Sequence, residues 1–180
     1  IFNLKDVLFV LDRGFFSKAN VLEMNNSKSE VSFVQPMPFS LKKVKTLVKK
    51  NKRLLSDPSS AFKYNEEILH YQQSPFEFDG NTFDAHIFFN EKTEVEQKHN
   101  FLSVLFEYEE QFKNKYFKAL KEYLQWRKLN IPEKYREYFK WNKTTFQIEK
   151  NAKKVKAFLC KMGSFVLITN KQHMDKVEVL

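Results

Sequence analysis

Asp12 is the first residue whose type and position are suited to chemistry. It ends the apolar run DVLFVLD, residues 6–12, which predicts a buried strand closed by a turn. A carboxylate just beyond the carboxyl end of such a strand lies where α/β sheets place their sites. Gly14 then permits a tight turn. The residues alone leave three roles open for Asp12: a site carboxylate, a cap of the helix after Ser17, or an ion-pair partner of Arg13.

A basic helix is the second candidate. Residues 41–55 (LKKVKTLVKKNKRLL) place apolar side chains at helical spacing, and Ser40 is predicted to cap the start. The polar positions carry cations and no acid: Lys42, Lys43, Lys45, Lys49, Lys50, Lys52 and Arg53. Such a face binds nucleic-acid phosphates or is simply solvated, and the sequence leaves both open.

Composition supports a folded, basic protein. The 180 residues carry a formal net charge of +9 and 42% hydrophobic residues, with twenty Phe. The net charge predicts either polyanionic partners, above all nucleic acid, or a solvated basic surface without a partner, and composition leaves both open. The apolar content argues against wholesale disorder. Cys160 is the single cysteine, which fits a reducing, intracellular setting and the role of a small core residue. No apolar run is long enough to predict a membrane span.

The remaining pattern predicts mixed α and β structure. Strands are predicted at residues 30–35, 144–148 and 164–169. Residues 67–89 are predicted to form two or three strands (67–73, 76–78 and 82–89), with a hairpin turn at Asp79–Gly80–Asn81. Helices are predicted at residues 18–24, 91–128, 132–139 and 153–161, and from Asp175 onward. Turns are predicted at Asn25–Ser27 and residues 57–60. The order is strand–helix–strand, a mixed block of about 120 residues, then strand–helix, which favours an interrupted α/β core.

Three stretches resemble a known family. VLFVLDRGFFSKANV (Val7 to Val21) is similar to the second catalytic aspartate segment of insertion-sequence DDE transposases. FDAHIFFNE (Phe83 to Glu91) resembles a segment inside the insertion of the same group. GSFVLITN (Gly163 to Asn170) resembles the strand that precedes the family's catalytic glutamate. The closest group is the one whose ribonuclease-H-like core is interrupted by a long insertion.

The resemblance implies an α/β (α+β) fold: a partial ribonuclease-H-like core interrupted by a mostly helical insertion with a small β-sheet. Residues 1–38 and 157–180 would belong to the core, and residues 39–156 to the insertion. Asp12 matches the second aspartate and would be a catalytic ligand of Mg²⁺ or Mn²⁺. Arg13 would contact either phosphate or a carboxylate, and the basic helix would contact DNA. The implied partners are element ends, target DNA and a second copy in the synaptic complex, in a bacterial, nucleoid-associated setting.

Two catalytic carboxylates of the family are not found in the chain. The pattern Tyr-x2-Arg-x3-Glu-x6-Lys is absent: Lys134 to Glu137 has the letters without the spacing, and Glu178 comes too early. Ile1 is not Met, and Leu180 closes what is predicted to be the first turn of a helix. We therefore expect an internal fragment that is inactive alone, because one carboxylate does not hold two metals.

Other candidates have simpler interpretations. Trp126 and Trp141 would stack on unpaired bases or, more simply, pack in a core. Glu107, Glu109 and Glu110 are adjacent on a predicted helix beside Lys and Gln, which favours a solvated face over a metal site. The four histidines show no zinc spacing. Two alternatives to a transposase stay open: a non-catalytic nucleic-acid-binding remnant, and a helical interaction protein without a DNA role.

Overall fold

The computed structural model describes residues 7–26 and 31–180. The chain divides into two compact units: residues 1–94 with 163–180, and residues 95–162. Among the described residues, no helix is both long and apolar enough to cross a lipid bilayer. The fold is a mixture of α and β structure, as predicted, with six α-helices and eight strands in the described ranges.

The first unit is built on a six-stranded mixed sheet. Its order is β1-β2-β8-β5-β4-β3; β1 and β2 are parallel and the other neighbours are antiparallel. The strands are β1 (Leu8–Val10), β2 (Ser32–Pro36), β3 (Ala61–Tyr64), β4 (Glu67–Phe78), β5 (Asn81–Phe89) and β8 (Ser164–Thr169). Strand β8, the last strand along the chain, therefore lies between β2 and β5.

Residues at positive φ form the tight turns that connect the antiparallel strands β3, β4 and β5. Asp79 and Gly80 have φ of 53° and 83°, which confirms the predicted hairpin turn between β4 and β5. Of the two or three strands predicted for residues 67–89, two form, because β4 runs unbroken past Pro75 beside β5. The sequence analysis missed β3, which is joined to β4 by Asn65 and Glu66 at positive φ.

Two helices belong to this unit. Helix α1 (Lys18–Asn26) is capped by Ser17, whose Oγ accepts the backbone N–H of Asn20 at 3.0 Å. Asn25 and Asn26 lie inside α1, so the turn predicted for them is wrong, while Ser27 lies outside the described residues. Helix α2 (Lys42–Leu55) is confirmed but begins after Leu41, without the side-chain cap predicted from Ser40.

Both faces of the sheet are covered. One face packs against the apolar side of α2, through side chains that include Val44, Leu47, Val48 and Leu55. The opposite face packs Phe88 and Leu167 against Met174 and Val179 of the C-terminal segment. The helix predicted from Asp175 is a single turn: the Asp175 carboxylate accepts the N–H of Val177, and Glu178 accepts that of Asp175.

The sheet face under the C-terminal segment holds a buried histidine. His86 is fully buried; its Nδ1 lies 2.9 Å from the Tyr71 hydroxyl, and Nε2 has no hydrogen-bond partner in the described part of the chain. Burial lowers the pKa of His86 below 6.5, and the nearby carboxylates of Asp84 and Asp175 oppose that shift. Burial also raises the pKa of Tyr71 to about 12, so the phenol stays neutral.

This environment predicts acid sensitivity. The unfolded chain binds a proton on His86 more readily than the folded chain does, so the free energy of unfolding falls as the pH drops below 6.5. The loss is at most about 1.4 kcal/mol per pH unit. Urea unfolding at several pH values should show a shallower acid slope for His86→Gln than for the parent chain. Equal slopes would contradict the assignment.

The long helix predicted for residues 91–128 is wrong, because the segment forms two helices. Helices α3 (Glu91–Phe112) and α4 (Leu120–Asn130) are separated by a seven-residue connection, residues 113–119. Tertiary contacts account for the break. The buried Phe117 donates its N–H to the Phe146 carbonyl at 2.9 Å, and Tyr116 forms an isolated bridge with Gln147. Helical periodicity continues through this segment, but these pairings compete with the helix.

The remaining elements of the second unit are short, and most of its core side chains are aromatic. Helix α5 (Glu133–Arg136) follows Pro132 as predicted but ends before Phe139, and β6 (Phe139–Trp141) pairs with β7 (Ile148–Lys150). Helix α6 (Ala152–Leu159) leads to Gly163. The core of this unit is formed by buried side chains of α3, β6 and the connecting segments, among them Phe101, Leu105, Phe112, Ile131, Tyr138 and Phe139.

The boundaries between the two compact units differ from the predicted boundaries between core and insertion. Strands β3, β4 and β5, which the sequence analysis placed in the insertion at residues 39–156, share one sheet with β1, β2 and β8. The boundaries of the units fall at 94/95 and 162/163 because β5 and β8 pair over six residues. The domain boundaries at 38/39 and 156/157 stay a prediction about the parent fold.

Candidate metal and nucleic-acid site

Asp12 lies at the carboxyl end of the parallel pair β1–β2. The Leu11 N–H donates to the Val34 carbonyl at 3.0 Å, which extends the pairing of the two strands by one residue. The Gln35 side chain then donates from Nε2 to the Asp12 carbonyl at 3.3 Å. The backbone of Asp12 is therefore tied to the neighbouring strand, while its side chain is exposed. This is the placement that the sequence predicted for a site carboxylate.

One carboxylate oxygen of Asp12 already has a structural role. Oδ1 accepts the Gly14 N–H at 2.7 Å and caps the 3-10 turn Arg13–Phe15. A cap of the helix after Ser17 is not its role, since Ser17 caps α1 itself. Within residues 7–26 and 31–180, no ion pair joins Asp12 to Arg13. The second oxygen, Oδ2, makes no hydrogen bond to the described residues and is open to a ligand.

Gln35 is a component of this site that the sequence analysis missed. Its side chain is fully buried, donates to both Asp12 and Pro36 carbonyls, and leaves Oε1 without a partner among the described residues. A buried amide oxygen without a partner is costly in free energy.

The described residues do not complete a metal site. No group of three or more His, Cys, Asp or Glu side chains within residues 7–26 and 31–180 is arranged to hold a cation. Asp12 supplies a hard oxygen ligand, which suits Mg²⁺ or Mn²⁺, but a lone exposed carboxylate binds either ion weakly. The described residues therefore do not fit the two-metal centre that the family resemblance implies, and any such centre needs carboxylates from outside this set.

The basic face of α2 is sorted by the structure into two groups. Lys42, Lys45, Lys49 and Arg53 form a stripe opposite the buried side of the helix, and all four are exposed. At 1.5 Å per residue the stripe is about 16 Å long, enough to span several backbone phosphates of a nucleic acid. We refer to these four residues as the α2 stripe.

The other three cations of α2 are Lys43, Lys50 and Lys52, and each contacts the protein or lines a groove on its surface. The Lys52 ammonium lies 2.8 Å from the Glu94 carboxylate and 3.6 Å from the centre of the Phe89 ring, so its charge is compensated locally. Lys43 donates to the Glu77 carbonyl at 3.1 Å. Lys42, Lys43 and Lys50 line one side of a groove against the Pro75–Glu77 part of β4. Arg13 is exposed beside Asp12, without an ion pair among the described residues.

The simpler interpretations hold for the other candidates. Trp126 packs in the second core, 5.1 Å from the Phe112 ring. Trp141 is half-buried and donates from Nε1 to the Phe117 carbonyl. Glu109 pairs with Lys150 at 2.7 Å and Glu110 with Lys113 at 3.5 Å, as expected of a charged helix face. Cys160 is a free, half-buried thiol.

Comparison with known proteins identifies no relative of this chain. No family model, no curated protein and no solved structure matches the chain. Function is therefore argued from the geometry and charges described above.

Proposed function

We propose that the chain is a piece of a DDE-type DNA transposase that binds DNA through α2 and contributes Asp12 to the catalytic centre of the complete enzyme. The observation that carries the proposal is the exposed carboxylate of Asp12 at the carboxyl end of the parallel strand–helix–strand unit β1–α1–β2. A ribonuclease-H-like core contains such a unit, and the resemblance places the second catalytic aspartate at this position.

The α2 stripe supplies the sequence-independent part of DNA binding in this proposal. Its four cations have no acidic side chain within α2 to compensate them, and the chain as a whole has a net charge of +9. Contacts of Lys and Arg with phosphates release counterions, so affinity for duplex DNA falls steeply as salt increases. The parent enzyme would cleave element ends and join them to target DNA, and this chain alone would bind DNA without cutting it.

Duplex binding tests the DNA half of the proposal. The affinity of the 180-residue chain for a fluorescein-labelled duplex of mixed sequence is measured by anisotropy at several salt concentrations. Lys45→Glu combined with Lys49→Glu should weaken binding by about 100-fold near 0.1 M salt and lower the log–log salt slope by about two. The physical reason is the loss of two phosphate contacts together with repulsion from the introduced carboxylates.

A matched control separates local contacts from total charge. Lys63→Glu combined with Lys171→Glu changes the net charge by the same amount at two exposed positions outside α2. We expect this control to stay within about threefold of the parent chain. Equal losses in both variants would mean that only total charge matters. Absence of duplex binding at low salt would overturn the proposal.

A second candidate function is a nucleic-acid-binding module without chemistry. The observation that favours it is the hydrogen bond from the Gly14 N–H to Asp12, since capping a turn is a sufficient reason for an aspartate at this position. The two candidates share the α2 stripe and differ only in whether the charge of Asp12 is needed for cleavage by the complete protein.

A further inference from the structure

The turn between β6 and β7 holds a phenylalanine in an unfavourable backbone conformation. Phe146 has a φ of +59°, in the left-handed region that suits glycine and asparagine and disfavours bulky side chains. The conformation costs on the order of 1–2 kcal/mol. The turn is nevertheless tightly specified: Asn142 accepts the N–H groups of Thr144 and Thr145 on its side chain and donates its own N–H to the Gln147 carbonyl.

Burial of the ring does not account for this strain. The Phe146 side chain is 45% exposed, although its ring lies 6.2 Å from the ring of Trp141. A glycine or an asparagine would adopt this backbone conformation with less strain and would expose less apolar area. Strained, exposed residues that the surrounding bonds hold in place are a feature of binding sites.

A second exposed aromatic residue belongs to the chain segment bonded to this turn. Residues 113–119 connect α3 to α4, and the Phe117 N–H donates to the Phe146 carbonyl at 2.9 Å. Tyr116 bridges Gln147 and is 65% exposed. Trp141 is anchored to the same segment by its bond to the Phe117 carbonyl. Three aromatic residues therefore lie on two segments that are hydrogen-bonded to each other.

The charges around these aromatics are almost entirely positive. Lys115, Lys118 and Lys143 are exposed and make no ion pair in the part of the chain that the structure describes. The nearby acids are engaged: Glu149 accepts from Asn142 and pairs with Lys140, and Glu122 accepts the Lys118 N–H. We refer to Tyr116, Trp141, Phe146 and the three lysines Lys115, Lys118 and Lys143 as the turn patch.

We infer that the turn patch binds single-stranded nucleic acid, with Phe146 and Tyr116 stacking on unpaired bases and the lysines contacting the backbone phosphates. Exposed rings offer their faces to any base, and free ammonium groups match the phosphates. Duplex DNA is a poorer fit, because its bases already stack on each other. The inference rests on the proposed function only in that the partner is a nucleic acid; the patch is distinct from the α2 stripe.

Phe146→Gly gives a sharp test, because it removes the ring and relieves the backbone. The probe is a fluorescein-labelled oligothymidylate of about 16 nucleotides, and binding is followed by anisotropy at several salt concentrations. We expect Phe146→Gly to weaken binding about tenfold at every salt concentration without changing the salt slope. Lys115→Gln combined with Lys143→Gln should instead lower the slope by about 1.4. Phe146→Trp should keep the affinity of the parent chain.

Stability and duplex binding are the controls. Glycine suits a positive φ, so thermal unfolding of Phe146→Gly should show no loss of stability beyond the small loss of the Trp141 contact. Phe106→Leu, which changes an exposed phenylalanine on α3 that is not part of the turn patch, should leave oligothymidylate binding unchanged. Duplex affinity should be the same in Phe146→Gly and the parent chain.

Each outcome is decisive. Unchanged oligothymidylate affinity in Phe146→Gly, or no oligothymidylate binding by the parent chain, would overturn the inference. If Phe146→Gly lowered duplex and single-strand affinity equally, the ring would not stack on unpaired bases, and the inference would also fail. If duplex binding is lost only in the α2 variants, the proposed function is supported whatever the result for the turn patch.

Discussion

Replacing Gly163 with alanine is expected to destabilise the unit of residues 1–94 and 163–180 by about 3 kcal/mol. Gly163 precedes β8 with a φ of +71° and accepts the Asn90 N–H at 2.8 Å. An added Cβ would lie 2.5 Å from the Asn90 carbonyl oxygen and 2.6 Å from the Glu94 Cβ. Both neighbours are at the start of α3, and the closest atom is backbone, so relief requires the chain itself to shift.

The matched control for this prediction is Gly80→Ala. Gly80 also has a positive φ, +83°, but an added Cβ there has no atom within 4 Å. Its cost should be only that of the left-handed conformation, about 1 kcal/mol. Hydrogen exchange of amides in β5 and β8, measured for both variants, should show the larger loss of protection for Gly163→Ala. Equal losses would show that the close approach to Asn90 has no energetic consequence.

Under the proposed function, Asp12→Asn is expected to lower DNA cleavage by the complete protein by more than about 100-fold, with DNA affinity within about twofold of the parent protein. Loss of an outer-shell partner alone costs about 10–100-fold, so loss of a charged ligand costs more. Asparagine is a good cap and still accepts the Gly14 N–H, so the turn Arg13–Phe15 keeps its geometry. The measurement pairs strand cleavage in Mg²⁺ with binding of element-end DNA.

Asp12→Ala is the companion variant in this experiment. Alanine removes both the charge and the cap, at a cost of about 1 kcal/mol in stability. If Asp12 acts only as a cap, Asp12→Ala is less stable and Asp12→Asn is indistinguishable from the parent protein in cleavage and binding. Cleavage by Asp12→Asn at the parent rate would remove the catalytic role and leave the nucleic-acid-binding module as the better account.

The sequence predicted correctly those helices, strands and turns that depend only on their own residues. Helix α2 follows from its apolar spacing and strand β8 from the run SFVLIT, and the turn at Asp79–Gly80 follows from two residues that tolerate positive φ. The break between α3 and α4 could not be read from residues 91–128, because it depends on pairing with a hairpin about 30 residues away. Strand β3 was missed for a related reason, since it forms only by pairing with β4.

The sequence predicted which residue types form the candidate site, but not how all of them are arranged. Asp12 lies at the end of its strand as expected, and the cations of α2 lie on a helix. Separating the α2 stripe from Lys43 and Lys52 required the positions of Glu77, Phe89 and Glu94. Gln35 and Phe146 were missed, because a buried amide and a left-handed φ are consequences of tertiary packing rather than of residue type.

The location of the two tryptophans has a practical consequence. Trp126 and Trp141 both lie within residues 95–162, so intrinsic tryptophan emission reports on that unit and contains no signal from the unit that holds Asp12 and α2. A ligand on the turn patch should quench or shift the emission of Trp141, because that indole is part of the patch. Tryptophan emission thus provides a label-free readout of binding at the turn patch. A tryptophan melting curve likewise describes only one of the two units.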